Sequence, residues 1–333
     1  MTANPQADSL VTLEAIREAA EGFQGVVKRT PLIRSPELEA MAGVPVYFKL
    51  ENKHPTGAFK LRGAWTAICR LPEERRVNGV LTYSSGNHGQ AVAFAAQHIG
   101  VRAVIVMPET APPVKVAGVK RWGGEVIFAG TTSEDRFNAA IEIAEAEDLT
   151  VIPPFDHPDI VAGQATVGLE ILEQLPNVAH VLVPVGGGGL AAGVTTAVKA
   201  LRPAVHVTGV EPEGSACFHA ALAAGRPVRL ERTQSIADGL LPLSIGTLTF
   251  RHLVGRADGV TVSDRAIAEA TIWLRTKQGV MAEPSGGVTS AALRGGAVQP
   301  EGPCVLVVSG GNADANVIAL LEEVMRESCH DKN

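Results

Sequence analysis

Lys60 lies between Phe59 and Leu61 in the segment PTGAFKLRGA (55–64). An ammonium crowded by apolar side chains loses solvation, which favours the neutral amine, the form that condenses with an aldehyde. The competing reading is a solvated lysine at a helix start. A second segment, GGGGL (186–190), suits an anion. Successive glycines let the backbone approach a ligand closely, and a helix starting there would aim unpaired N–H groups and its positive end at the same point. A tight turn alone needs only one or two glycines. Gly186, Gly188 and Ala191 also satisfy G-x-G-x-x-A, a weak dinucleotide signature, because the turn lacks the early βαβ position and no ribose-binding acid can be placed. No Lys-Ser/Thr follows the glycines, which excludes a triphosphate P-loop. Two further turns, SSGNHG (84–89) and SGGNAD (309–314), carry Ser84, Ser85, Asn87, His88 and Ser309. Taken alone, Asn87 also reads as a left-handed turn residue and His88 as a helix-start cap.

These turns need elements that bring them together. From residue 79 the chain alternates short apolar runs (GVLTY, RAVIVMP, EVIFAG, TVIPP) with helix-period segments (GQAVAFAAQHIG, PVKVAGVKRWG, SEDRFNAAIEIAEAED). Such alternation builds a parallel sheet covered by helices, because parallel strands need crossovers. Ser133 is expected to cap the third of these helices, with Glu134 and Asp135 in its positive first turn. A second alternating series runs through HVLVPV, AAGVTTAVKALRP and VHVTGVEP, resumes with a helix near Ser263 and ends with PCVLVVSGG and a last helix. The N-terminal 70 residues hold an amphipathic helix (TLEAIREAAEGFQ) and a strand (VYFKLE). The expected division is a large cofactor-binding domain of residues 1–70 plus 155–333 and a small substrate-side domain of residues 71–154. Each chemical turn then follows a strand, where ligands bind in open α/β sheets.

The composition narrows the partners. With 333 residues, of which 46% are hydrophobic, and a net charge of -6 from interspersed acids and bases, the chain has no basic stripe for nucleic acid or an anionic membrane. The aromatic share of 4% argues against base-stacking surfaces. No apolar run approaches the ~18 residues of a membrane span, and MTANPQADSL does not read as a targeting signal. Cys69, Cys217, Cys304 and Cys329 form no CxxC pair, so reduced thiols in a cytoplasmic protein are expected.

RTPL (29–32), LENKHPTGAFKLRGA (50–64), SSGNHGQA (84–91), VGGGGLAAG (185–193), AEPSGG (282–287) and SGGN (309–312) together resemble the ordered signature of the serine/threonine dehydratase and serine racemase family, pyridoxal-phosphate enzymes of the second fold type. The resemblance extends from about residue 10 to about residue 325. It implies an α/β fold of two doubly wound parallel-sheet domains with the cofactor in the cleft between them. It implies that Lys60 holds pyridoxal 5'-phosphate as a Schiff base, that the N–H groups of Gly186, Gly187, Gly188, Gly189 and Leu190 bind the phosphate, and that Phe59 packs on one ring face. Asn87 would bond the 3′-oxygen, and Ser84, Ser85, Asn87 and His88 would surround the substrate carboxylate. Glu283 would lie near the cofactor, a structural role being the alternative. Ser309 matches the residue at the pyridine nitrogen; a hydroxyl stabilises a pyridinium less than a carboxylate does, which shortens carbanion lifetime and favours β-elimination.

The implied activity is a dehydratase, an ammonia-lyase in which Lys60 removes the Cα proton of L-threonine or L-serine, the β-hydroxyl leaves, and hydrolysis yields a 2-oxo acid and ammonia. Ser85 matches the acid/base that racemases place opposite the lysine, so serine racemase is the nearest alternative. Arg136 aligns with an arginine able to meet a second carboxylate, which would admit 3-hydroxyaspartate; a solvated arginine is the other reading. A dehydratase of hydroxyectoine breakdown also remains open, as do, more distantly, a nicotinamide-dependent oxidoreductase and a non-catalytic phosphate-ligand sensor. Members of the family with a divalent cation hold it on the glutamate of VEP, here Glu211, and a downstream acid; Ser215 and Cys217 follow instead, so no metal is expected. A homodimer is expected, and the absence of an appended amino-acid-sensing domain suggests an unregulated, catabolic enzyme.

Overall fold

Runs such as HVLVP and CVLVV, apolar on both faces, become parallel strands covered on both sides. The computed structural model describes residues 10–84, 86–313 and 316–330, and among these the strands are β1 (Leu32–Arg34), β2 (Val46–Leu50), β3 (Val80–Tyr83), β4 (Ala103–Met107), β5 (Glu125–Phe128), β6 (Thr150–Val151), β7 (His180–Pro184), β8 (His206–Pro212), β9 (Asp258–Val262) and β10 (Cys304–Val308). They form a six-stranded sheet of order β1-β2-β10-β7-β8-β9 and a four-stranded sheet of order β5-β4-β3-β6. All pairings are parallel except β1 with β2. This is the α/β, doubly wound architecture expected from the alternating pattern.

Strand side chains alternate between two apolar layers. Val181, Val183, Val305 and Val307 pack with helices Leu13–Glu21, Pro158–Gln174 and Gly189–Leu201, whereas Leu182, Leu306 and Val308 pack with Asp264–Thr276 and Pro284–Arg294. In the small sheet, Val80, Ile105 and Met107 face helix Asn87–His98, and Leu81, Val104 and Val106 face helix Ser133–Glu147. Helix Lys60–Cys69 contributes Leu61, Ala64, Trp65 and Ile68 to the cluster under the small sheet.

Local capping follows the sequence with one correction. Ser263 caps its helix through a bond from the Ala266 N–H at 3.3 Å. The cap at the start of Ser133–Glu147 is Thr132, not Ser133: Thr132 accepts from the Asp135 N–H at 3.1 Å, and the Asp135 carboxylate accepts from the Thr132 N–H at 2.9 Å. The reciprocal capping box needs its acid three residues after the cap, which selects Thr132 and Asp135. Among the described residues, no helix is long and apolar enough to cross a membrane.

Candidate active site

The turns after β2, β3, β6, β7 and β10 build the site. Lys60 opens helix Lys60–Cys69, and the turn before it is clipped to the end of β10 by an antiparallel bridge between Ala58 and Gly310 and by the Phe59 N–H donating to the Ser309 carbonyl at 3.0 Å. The Lys60 Nζ donates to the Pro154 carbonyl at 2.7 Å and stands 5.2 Å from the centroid of the Phe59 ring. Lys60 keeps part of its surface in contact with solvent, yet burial around the ammonium pushes its pKa down to about 8. A substantial fraction of neutral amine is therefore present at neutral to mildly alkaline pH.

Gly186, Gly187 and Gly188 follow β7, and Gly189 begins helix Gly189–Leu201. Gly188 has φ 91°, a left-handed conformation that suits glycine. A Cβ on Gly187 would run into the ring of Phe155, and one on Gly189 would come within 3.1 Å of the same side chain. Among the described residues, the N–H groups of Gly186 through Leu190 have no acceptor, as a helix start and its preceding turn require. A buried row of such donors could hold a phosphate. Its outer wall is fixed by Thr249, whose Oγ1 donates to the Gly187 carbonyl at 2.8 Å, and by Asp156, which accepts from the Thr249 N–H at 3.1 Å.

Asn87, the first residue of helix Asn87–His98, donates from Nδ2 to Glu283 Oε1 at 2.6 Å and accepts from Asn312 Nδ2 at 2.9 Å. Asn312 also donates to the Thr56 carbonyl at 2.7 Å, which ties this pair to the Lys60 turn. The Ser309 hydroxyl donates to the Ser285 carbonyl at a long 3.3 Å. Glu283 is 2% exposed, and burial, reinforced by Asp238, raises its carboxyl to about 8 despite Lys115 and the Asn87 bond. The fold therefore favours its neutral form. Starting from the ordinary value of 4.5, that contribution to stability is complete below about pH 4.5 and disappears as pH rises through about 8. Glu283→Gln, uncharged at every pH, is expected to flatten this part of the profile. Thermal unfolding of both proteins across that window checks it, and parallel curves would contradict it.

Ser84 accepts from the Gly86 N–H at 3.1 Å, bending the chain into the helix. Ser85 lies outside the described residues. The Nε2 of His88 is 3.2 Å from the Ile152 carbonyl and so carries the proton, which leaves the buried Nδ1 as an acceptor without a partner among the described residues. Burial, with a smaller contribution from Lys60, pushes the His88 pKa down to about 3. A neutral ring in that tautomer cannot donate from Nδ1 to a carboxylate, which leaves the His88 backbone N–H, in the first turn of the helix, as its available donor. Arg136 is half-buried in the first turn of Ser133–Glu147; burial lowers its pKa, and the T-shaped contact of Phe137 with Tyr83 at 5.3 Å puts that turn beside the end of β3.

Away from the cleft, Glu211 Oε1 and Oε2 accept from the N–H groups of Phe218 and His219 at 2.7 and 2.9 Å, while Cys217 Sγ donates to the Gly186 carbonyl at 3.4 Å. Burial raises Glu211 to about 7 and Cys217 above its ordinary range. A half-neutral carboxyl already held by two amides, with a thiol beside it in place of a second acid, is a poor donor set for a hard cation. The sequence reading missed Pro154, Phe155 and Asn312, as well as Lys115, whose ammonium pairs with Asp238. Pro154 and Phe155 follow β6, so the strand-end rule would have found them.

The family model for pyridoxal-phosphate dependent enzymes matches residues 23–310. An L-threonine ammonia-lyase of Thermotoga maritima is 41% identical over 310 residues, covering 93% of this chain and 77% of the relative. The solved structure of maize serine racemase superposes with a TM-score of 0.89 at 35% identity, covering 98% of this chain and 100% of its own. The processed form of threonine deaminase isoform 2 from Solanum lycopersicum superposes with a TM-score of 0.84 at 32% identity, covering 96% of this chain and 91% of its own.

Proposed function

The chain belongs to the pyridoxal-phosphate dependent enzymes, and we propose that its reaction is the elimination of water from a β-hydroxy amino acid, L-threonine or L-serine, giving a 2-oxo acid and ammonia. The observation that carries this reading is the meeting of a lysine amine with a depressed pKa and a row of unpaired backbone donors, joined through consecutive residues: Pro154 holds Lys60, and Phe155 packs against the cradle. The residues fit the cofactor, because an aldehyde needs a neutral amine and a phosphate needs several donors without competing acceptors.

In this reading Gly186, Gly187, Gly188, Gly189 and Leu190 would bind the phosphate, Lys60 would bond the aldehyde carbon, Phe59 would pack on the ring, Asn87 would bond the ring oxygen and Ser309 the ring nitrogen. When bound, the cofactor supplies an electron sink for the carbanion formed at Cα. Lys60 would take the Cα proton, and its low pKa suits a base working near neutrality. The N–H groups at the start of helix Asn87–His98 orient the substrate carboxylate, with Ser84 shaping the turn that presents them; Ser85 is assigned to the same subsite. Glu283 holds Asn87 in place. Arg136, in the first turn of Ser133–Glu147, is assigned to a second carboxylate where the substrate carries one. In the net reaction the β-hydroxyl leaves as water, and a later water supplies the oxo oxygen as ammonia departs.

The same reading assigns residues 1–70 and 155–333 to the cofactor-binding half and 71–154 to the substrate side, supported by the strand membership of the two sheets. Helix Lys60–Cys69 packs across that division. A cytoplasmic homodimer is proposed with it, and the free thiols of Cys69, Cys217 and Cys304 suit a reducing compartment.

The test is a panel of L-threonine, L-serine, D-serine and the 3-hydroxyaspartate stereoisomers, assayed for 2-oxo acid, ammonia and enantiomeric excess. Equimolar oxo acid and ammonia from L-threonine or L-serine is expected. The likeness to maize serine racemase makes racemisation the second reading. Interconversion of serine enantiomers without oxo acid would replace the first reading with it.

A further inference from the structure

Lys115 belongs to helix Pro113–Arg121 and is 8% exposed. Its stem runs along Gly86, where a Cβ would stand 2.7 Å from Lys115 Cδ and 3.2 Å from Cε. The ammonium, one bond beyond Cε, therefore lies close to Gly86 of the SSGNHG turn, and it pairs with Asp238. Asp238 begins the short 3₁₀ turn Asp238–Leu240, whose next residue, Gly239, donates to Ser285 Oγ at 2.9 Å and places its carbonyl 3.3 Å from where a Gly186 Cβ would be. One ion pair thus spans the cleft between the turn assigned to the substrate carboxylate and the segment backing the phosphate cradle. Its two ends differ: the Lys115 side chain is 10% exposed and the Asp238 side chain 46%. A buried ammonium needs an anionic partner, but a half-exposed carboxylate can give one up to water at little cost.

We propose that Lys115 is a specificity residue for the substrate's carboxylate, held by Asp238 until the amino acid docks at Gly86 and then drawn to its carboxylate. This rests on the reading above only in placing the carboxylate at the start of helix Asn87–His98. Asp238 acts as a placeholder that keeps the buried cation paired, and it competes with the substrate for that cation.

Calorimetric binding of L-alanine and of L-alaninamide to the cofactor-loaded protein tests this, since neither ligand carries a β-leaving group and the result does not depend on which amino acid is turned over. Lys115→Met is expected to weaken L-alanine roughly tenfold or more, the factor that about 1.4 kcal/mol represents, while leaving the amide nearly unchanged. Lys115→Arg should keep most of the affinity. Asp238→Asn, by removing the competitor, should tighten L-alanine. A structural role would instead weaken acid and amide alike. Equal losses for both ligands, a weakened acid in Asp238→Asn, or failure of the wild type to prefer the acid would each overturn the proposal. An inactive substrate panel combined with the expected calorimetry would remove the lyase reading and leave this one standing.

Discussion

Lys60→Ala is expected to end covalent attachment of the cofactor and to lower turnover by roughly 10²–10⁴-fold or more, the range a positioned acid or base supplies. Two effects combine in this one residue. The amine that bonds the aldehyde is lost, and so is the base that lies against the Pro154 carbonyl. Borohydride reduction followed by peptide mass spectrometry reads the first effect directly, as a modified peptide containing Lys60 in the wild type and its absence in the variant. Oxo-acid production under saturating cofactor reads the second. Wild-type turnover by the variant, or a cofactor adduct on another lysine, would remove Lys60 from the chemistry. Because burial puts the amine near pH 8, cofactor loading of the apoprotein should gain speed up to about that pH and then level off.

Arg62→Ala is expected to destabilise the fold by about 3–5 kcal/mol, the cost of leaving buried charges without their partner. Arg62 has no exposed surface; it donates to Glu51 at 2.7 and 2.9 Å, to Glu170 at 2.7 and 2.9 Å, and to Thr166 at 3.0 Å. Lys49, equally buried, donates to Glu170 at 2.5 Å and to the Thr30 carbonyl at 2.9 Å, while His54 and Thr30 complete the shell of Glu51. Burial alone would raise the Glu51 carboxyl, but the Arg62 guanidinium and His54 outweigh it and hold it well below the usual range. Arg62 is two residues beyond Lys60 on the same helix, so the network also fixes the start of the helix that presents the amine. Denaturant unfolding should show the loss in the midpoint, and Glu51→Gln combined with Arg62→Ala should lose less than the sum of the two single changes. An unchanged midpoint for Arg62→Ala would refute it.

Lys49, Glu51, Arg62 and Glu170 show where reading the chain alone stops. In VYFKL and LRGA the charges of Lys49 and Arg62 read as solvent-facing breaks in an apolar pattern. Lys49 and Arg62 are buried because a partner arrives from far along the chain, Glu170 being 121 residues from Lys49 and 108 from Arg62. The pairing of Lys115 with Asp238, across 123 residues, and the tautomer of His88, set by the Ile152 carbonyl, were hidden for the same reason. The cap at Thr132 rather than Ser133 was a different kind of miss: the acid three residues on, Asp135, is present in the local sequence and singles out Thr132.

By itself, the sequence determined most of the order of strands and helices, though not β1 or β9, because hydrophobic period and turn chemistry are local. It also pointed to turns that suit a phosphate and an aldehyde, because those demands fall on residue type at strand ends, whereas the carboxylate turn came from the family resemblance. The tertiary structure alone decided which of these turns meet. It put the carbonyl after β6 against Lys60, gave Asn87 its partners Glu283 and Asn312, and set the protonation of Lys60, His88 and Glu283 through burial. Long-range contact and desolvation depend on where distant segments pack, and local patterns carry no information about that distance.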